Sequence, residues 1–392
     1  MSFAFSAKPL RTLRLKSLQD MPDFSNVIPP HIRKLVETDQ SKPLKQSRSA
    51  AKPIALNLNE NPFGPSPLAL KALKSAIEEV HRYPEIHALD LHEEIAAFHG
   101  VQPEQVLITA GATEFLCIIA RVLLASGLNA VTSARSFIVY KLATQVTEGK
   151  LIEVRTRDNG YDLDAIGAAI NADTRIVFIS NPNNPTGTLL TAEEIDLFAK
   201  TLPDHVLLVL DEAYGDFAAA FAKQRHVNYS HALDYVRADR NIIILKTFSK
   251  AHGLAGLRVG YGIGPARLIS VFAQARSIFS VSSVAQAAAL AALHDAAHIR
   301  TAAQNNSEQA DVVSSALERL GYEIPITWAN FIFCDVGTNA AGFAESLQSH
   351  GVVVQPLGMW GAPNAIRISI GTPEQNHLFL KAFEAVVQSV RS

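Results

Sequence analysis

Six short apolar runs constrain the fold most: Val106–Thr109, Ala130–Thr132, Leu151–Val154, Ile176–Ser180, Val206–Leu210 and Ile242–Leu245. They are rich in β-branched residues and Leu, and they are mostly continuous rather than alternating. A strand of that kind needs apolar cover on both faces. Between them lie amphipathic or Ala-rich stretches such as Glu114–Leu124 and Ala192–Thr201. Strands alternating with helices predict an α/β architecture with a mainly parallel sheet.

The pattern changes after Arg258–Ile263. From Pro265 to about Leu320 the chain reads as helical and Ala-rich. Strand-like Phe331–Asp335, Val352–Val354 and Ile366–Ile370 follow, with helices near Ala341–Ser349 and Pro373–Val390, as in a small α+β domain. With 392 residues and 48% hydrophobic content, the chain can build one large and one smaller core. The expected divisions are a leader at 1–52, a large domain at 53–280 and a small C-terminal domain at 281–392. The segment after the leader is expected to contribute to the small domain and the site.

Charge is spread unevenly. Residues 1–52 hold ten Lys/Arg against four Asp/Glu, a balance of +6, while the remaining 25 and 33 give −8. Lys8, Arg11, Arg14 and Lys16 precede any acid, a composition like that of an organelle transit peptide. No long apolar core follows them, so a secretory signal is not expected, and the reading taken is a solvated, partly disordered leader. No concentrated basic field points to nucleic acid, and no apolar run approaches the ~20 residues of a membrane span. The two cysteines, Cys117 and Cys334, sit in apolar stretches. They read as small core residues in a reducing, cytoplasmic compartment rather than as a disulfide.

Three segments carry chemistry. Asn181-Pro-Asn-Asn-Pro-Thr-Gly187 ends a buried run, where open α/β sheets bind ligands. As a plain Asn/Pro turn it would mean nothing more. Asp211-Glu-Ala-Tyr214 puts a carboxylate at another strand end, where it serves a crevice or merely caps a helix. Lys246-Thr-Phe-Ser-Lys250, followed by Ala-His-Gly-Leu-Ala-Gly-Leu-Arg258, combines hydroxyls, a guanidinium and small residues in a set suited to phosphate. Lys250 alone would pass for a solvated lysine.

Together the three segments resemble fold-type-I pyridoxal phosphate (PLP) aminotransferases, from about Leu56 to Ile370. The histidinol-phosphate aminotransferases are the nearest in pattern. Leu58-Asn-Glu-Asn-Pro-Phe-Gly-Pro-Ser-Pro67, Arg82-Tyr-Pro84, Gly111-Ala-Thr-Glu114, Ala329-Asn-Phe331 and Ile366-Arg-Ile-Ser-Ile-Gly-Thr372 add to the likeness. The resemblance implies a large domain on a seven-stranded, mainly parallel sheet, a PLP cofactor and no metal. It also implies an amino donor, a 2-oxo acid acceptor such as 2-oxoglutarate, and a homodimer.

The resemblance further assigns roles. Lys250 would bond covalently to the cofactor and then move the substrate proton, which requires a depressed pKa. Asp211 would pair with the pyridine nitrogen, and Asn184 and Tyr214 would bond the ring oxygen. Arg258, Thr247, Ser249 and the helix start at Gly111, Ala112 and Thr113 would hold the phosphate. Phe137 would stack on the ring, and Tyr83 would reach the neighbouring subunit's cofactor. Arg367 would clamp a substrate carboxylate, with Asn330 and Asn59 beside it.

One departure stands out. The family usually has an arginine that helps hold the substrate phosphate, at the position of Gln355 in Gly351-Val-Val-Val-Gln-Pro356. A neutral amide binds phosphate more weakly than a cation. Three donor readings therefore stay open: histidinol phosphate, an aromatic amino acid, and a specialised biosynthetic substrate. Apolar Val352–Val354 and Met359-Trp360, near the expected pocket, suit an aromatic or imidazole side chain. A PLP lyase or decarboxylase would keep the same cofactor residues. A non-catalytic PLP-binding regulator would need a DNA-binding module, for which the leader is too short and poorly patterned.

Overall fold

The structure, a computed structural model, describes residues 27–33 and 53–391. Within the expected leader, residues 27–33 are described and 30–33 are helical; positions 1–26 and 34–52 lie outside the described residues.

Among the described residues twelve strands form three sheets. In chain order they are β1 (Ile54–Ala55), β2 (Val106–Thr109), β3 (Asn129–Ser133), β4 (Lys150–Val154), β5 (Thr174–Ser180) and β6 (Leu207–Asp211), then β7 (Ile242–Thr247), β8 (Gly260–Ile263), β9 (Phe331–Asp335), β10 (Val352–Val353), β11 (Gln355–Pro356) and β12 (Ala365–Ser369). The large sheet has seven strands in the order β2-β8-β7-β6-β5-β3-β4. The pairs β3–β4, β3–β5, β5–β6 and β6–β7 are parallel, whereas β8 is antiparallel to both β2 and β7.

Successive side chains of a strand point to opposite faces, and here both faces are buried. In β6, Leu208 and Leu210 join one core with Val177, Ile179 and Ile244. Leu207 and Val209 join the other with Phe115, Phe178 and Leu245. Burying each such side chain is worth roughly 1.5–3 kcal/mol, so the continuous runs cannot sit at a surface.

The reversed strand β8 depends on glycine. A Cβ at Gly262 would drive into the Phe115 ring, and one at Gly260 would sit 2.7 Å from the Ala112 nitrogen. Their absence lets the helix Gly111–Leu123 lie close on the sheet, with its N-terminus at the carboxyl ends of the parallel strands. The helix runs one turn further toward the N-terminus than the expected Glu114–Leu124.

The Ala-rich stretch expected as helical is three helices, Ala266–Gln274, Ser283–Leu293 and Ala296–Arg319, with a break between the first two. The helix Ser283–Leu293 lies beyond the expected division at 280. Its Ala285, Ala288, Ala289 and Ala292 nevertheless pack into the core of the large sheet. The helix Ala296–Arg319 instead brings Val313 and Leu317 into a second core. That core also holds Ile332, Ile366, Phe379 and Phe383, beneath the antiparallel sheet β11-β12-β9. The chain from Ile54 to Leu56 joins this core, and β1 pairs in parallel with β10.

The cysteines differ from expectation in one respect. Cys334 is buried, but Cys117 is exposed. On its helix Cys117 shares a face with exposed Arg121, one turn on, while its apolar neighbours Leu116 and Ile118 turn inward.

Candidate active site

The carboxyl ends of the central strands deliver the site. β6 ends at Asp211, β5 at Ser180 and β7 at Thr247, and the N-terminus of helix Gly111–Leu123 stands beside them. They open onto a cavity of about 450 Å³. Its lining includes twelve of the residues expected from sequence: Asn59, Ala112, Thr113, Phe137, Asn184, Asp211, Tyr214, Thr247, Ser249, Lys250, Arg258 and Arg367. Gln355 lines it as well.

Lys250 is half-buried, in the turn that follows β7. Its Nζ donates to the Leu58 carbonyl at 2.9 Å and lies 5.7 Å from the centre of the Tyr214 ring. Burial, reinforced by the positive charges of Arg367 and Arg258, lowers its pKa to about 7, against the pull of Glu60. The expected depression is thus present. The turn is locked from above: Asn61 Nδ2 donates to the Ala251 carbonyl at 2.8 Å, and a Cβ at Gly253 would collide with the Gly64 carbonyl. Gly253 has φ +71°, which a side chain would also strain.

Asp211 is 2% exposed. Its Oδ2 accepts from the Tyr140 hydroxyl at 3.0 Å and its Oδ1 from the Ala213 N–H at 3.1 Å. Burial pushes its pKa up to about 6, although both donors oppose the shift. A carboxylate so desolvated is suited to a cationic N–H donor, which would restore its charge.

The hydroxyl of Tyr214 accepts from Asn59 Nδ2 at 3.0 Å and from Asn184 Nδ2 at 3.3 Å. Asn184 Oδ1 in turn accepts from Arg367 Nη1 at 2.6 Å. Arg367 Nη2 donates to the Asn57 carbonyl at 2.8 Å, while its Nε is buried without a hydrogen-bond partner. Gln355 sits directly opposite Arg367 in the β11–β12 register, so the two side chains share a face of that sheet.

The anion corner is built from main chain and hydroxyls. Thr247 Oγ1 donates to Ser249 Oγ at 3.0 Å, and Arg258 Nη1 donates to the same Ser249 oxygen at 3.3 Å. Gly111, with φ +77°, leaves room for the guanidinium: a Cβ there would lie 2.5 Å from Arg258 Nη2. Free N–H groups at a helix start, two hydroxyls and an Arg form a site for a phosphate dianion. An anion corner, an amine of depressed pKa and a desolvated carboxylate around one cavity fit PLP.

Two expected residues stand elsewhere. Asn330 is buried and does not line the cavity; its Nδ2 donates to the Asn59 carbonyl at 3.0 Å, while its Oδ1 is buried without a hydrogen-bond partner. Tyr83 is 83% exposed and stacked on Phe279 at 4.7 Å, outside this chain's cavity. Sequence reasoning assigns no role to Glu60 or Ser180 in the lining, nor to Tyr140 beneath Asp211. Of the pair Met359-Trp360, expected near the pocket, Trp360 is in its wall.

The family model for aminotransferase class I and II matches residues 51–383. The chain belongs to the class I and II aminotransferase family. This aminotransferase is 42% identical over 335 residues to the histidinol-phosphate aminotransferase of Moorella thermoacetica, covering 85% of each chain. It is 37% identical over 379 residues to histidinol-phosphate aminotransferase 2 of Ralstonia nicotianae, covering 95% of this chain and 98% of that one. Among solved structures, the aminotransferase resembles the histidinol-phosphate aminotransferase of Sinorhizobium meliloti in complex with pyridoxal-5′-phosphate. The TM-score is 0.80 at 27% identity, over 90% of this chain and 98% of that one. Among the described residues of the aminotransferase, no helix is long and apolar enough to cross a membrane.

Proposed function

We propose that the protein is a PLP-dependent aminotransferase that moves the amino group of L-histidinol phosphate to 2-oxoglutarate, giving imidazole acetol phosphate and glutamate in histidine biosynthesis. The observation that carries the reading is the convergence of Lys250, Asp211 and the Arg258 corner on one cavity. The relatives named above supply the substrate. Bound PLP would supply an electrophilic carbon and a ring that accepts electrons from the substrate Cα.

The chain's own residues do the remaining work. With its pKa lowered to about 7, Lys250 can shed its ammonium proton near neutral pH, so it can attack a carbonyl, later take the proton from the donor's Cα and, in the second half-reaction, give one to the acceptor's Cα. Asp211 would hold a positive ring nitrogen, Asn184 and Tyr214 would bond the ring oxygen, and the Arg258 corner would anchor the phosphate. Arg367 presents its fork to an anionic substrate group, the phosphate of the donor or the carboxylate of the acceptor, fixing the Cα–H for transfer. Leu58, Phe137 and Trp360 give the cavity an apolar wall.

Gln355 favours a second reading, an aromatic amino acid donor, because it gives this wall of the cavity no cation beyond Arg367. A donor panel decides between the two. The expected result is that histidinol phosphate gives the highest kcat/KM, with phenylalanine and tyrosine well behind. The Gln355→Arg variant should lower KM for the phosphate donor by about 10-fold, the worth of one charge-assisted bond over a neutral one. Preference for phenylalanine, with no gain from Gln355→Arg, would overturn the first reading.

We also place the enzyme in the cytoplasm as a homodimer in which Tyr83 serves the partner's cofactor. Its exposure on this chain, beside exposed Ile86 and Ile278, supports a covered face in the assembly. Mixed dimers of Tyr83→Ala and Lys250→Ala chains should regain activity that neither variant has alone. Hybrids that stay inactive would count against the shared site.

A further inference from the structure

Tyr140 has no place in the roles derived above, yet it is fully buried against the cofactor-facing carboxylate. It is 0% exposed, on the first turn of helix Ile138–Gln145. Its ring stacks on Phe178 of β5 at 4.7 Å with the planes 4° apart, and meets Phe137 edge-on at 5.8 Å. Those two contacts aim the hydroxyl, which donates to Asp211 Oδ2 at 3.0 Å. A phenol that only filled core space would have no reason to carry its oxygen to this depth, because burying an unpaired hydroxyl is costly.

We infer that Tyr140 is a positioning residue: its hydroxyl holds the Asp211 carboxylate ionised and turned so that a lone pair is left for the cofactor's ring nitrogen. This rests on the proposed function, since it presumes PLP in the cavity. The division of labour follows from donor counting. Ala213 N–H takes Oδ1 and the Tyr140 hydroxyl takes Oδ2, so both oxygens are fixed in direction and each keeps a lone pair.

Burial and the Asp211 charge raise the Tyr140 pKa far above its ordinary value, so the phenol keeps its proton and acts only as donor. The other groups facing Asp211 do not replace it. Glu212 repels the charge, and Lys250 favours it but leaves for the chemistry. Tyr161, Tyr214 and Tyr229 sense Asp211 electrostatically. Their hydroxyls are committed elsewhere, Tyr161 to Ser180 N–H, Tyr214 to Asn59 and Asn184, and Tyr229 to the Asn181 carbonyl.

The test is cofactor retention by full-length protein carrying Tyr140→Phe, which removes one oxygen and keeps the stacked ring. PLP is titrated into wild type and variant, and its bound absorbance is followed down through the acid range. The dissociation constant should rise about 10-fold, as for loss of one hydrogen bond to a charged group. The acid midpoint of retention should also move to higher pH, because an anion with one donor fewer protonates earlier. A purely structural tyrosine would lower the melting temperature and leave that midpoint in place.

In an Asp211→Asn background, adding Tyr140→Phe should cost little, since the charged acceptor is gone. That double variant also serves if the single variant misfolds, because a fold rescued by removing the charge supports the coupling. Unchanged PLP affinity and midpoint in Tyr140→Phe would overturn the inference, as would an equal loss in both backgrounds. A wild-type chain that takes up no PLP would instead sink the proposed function itself.

Discussion

Replacing Lys250 by Ala is expected to lower kcat by about 10⁴-fold or more, since the proposed function makes the amine first the nucleophile and then the proton carrier. No neighbour can take over. Lys246, four residues earlier, is bound to Glu212 at 2.9 Å, and that carboxylate holds its pKa above the ordinary lysine value against the cost of burial. Lys250 is the opposite case: burial and two guanidinium groups lower its pKa to about 7. The fraction of free amine therefore grows as pH rises through that value. Borohydride trapping of added PLP by the wild type should increase over the same interval, with the adduct found at Lys250 by mass spectrometry. A Lys250→Ala variant that still transaminates normally would remove the assignment.

The second large effect is at Asp211. Asp211→Asn keeps the shape and one accepting oxygen and removes the charge. The loss in kcat should be about 10³-fold, comparable to removing one preorganised electrostatic group at a reacting centre. An unchanged melting temperature would show that the fold survives. Relieving a carboxylate whose pKa burial raises to about 6 should even leave the variant somewhat more stable above that pH. Activity within a few-fold of wild type would show that the ring nitrogen has no anionic partner here.

Much of this site can be read along the chain because its chemistry is local. Asp211 and Tyr214 fall within one turn, Thr247, Ser249 and Lys250 within another, and each follows a strand whose apolar run is unmistakable. What stays hidden depends on residues brought together from afar. Strand β8 is short and half glycine, and its need for glycine comes from Phe115, well over a hundred positions away. Tyr140 carries no motif of its own, and its link to Asp211 appears only when the fold brings the two together across 71 positions. Asn330 sits in a motif that promises a substrate contact, but in the fold its Nδ2 meets the Asn59 carbonyl, 271 positions away. Cys117 departs from expectation for a simpler reason: the helical period that places its neighbours inward also turns it outward, with Arg121.

The bonds that seal the cavity join the two ends of the described chain. Arg367 reaches the Asn57 carbonyl, and Ser369 bonds Asn59, each across 310 positions. A ribosome adding residues at roughly 5–20 per second would thus leave Asn57 without its mate for about 15 seconds or more after it is made. The lysine turn and its sheet can assemble in that interval, but the Arg367 side of the pocket has to wait for it to end. These two bonds are thus among the last contacts of the site that chain growth makes possible.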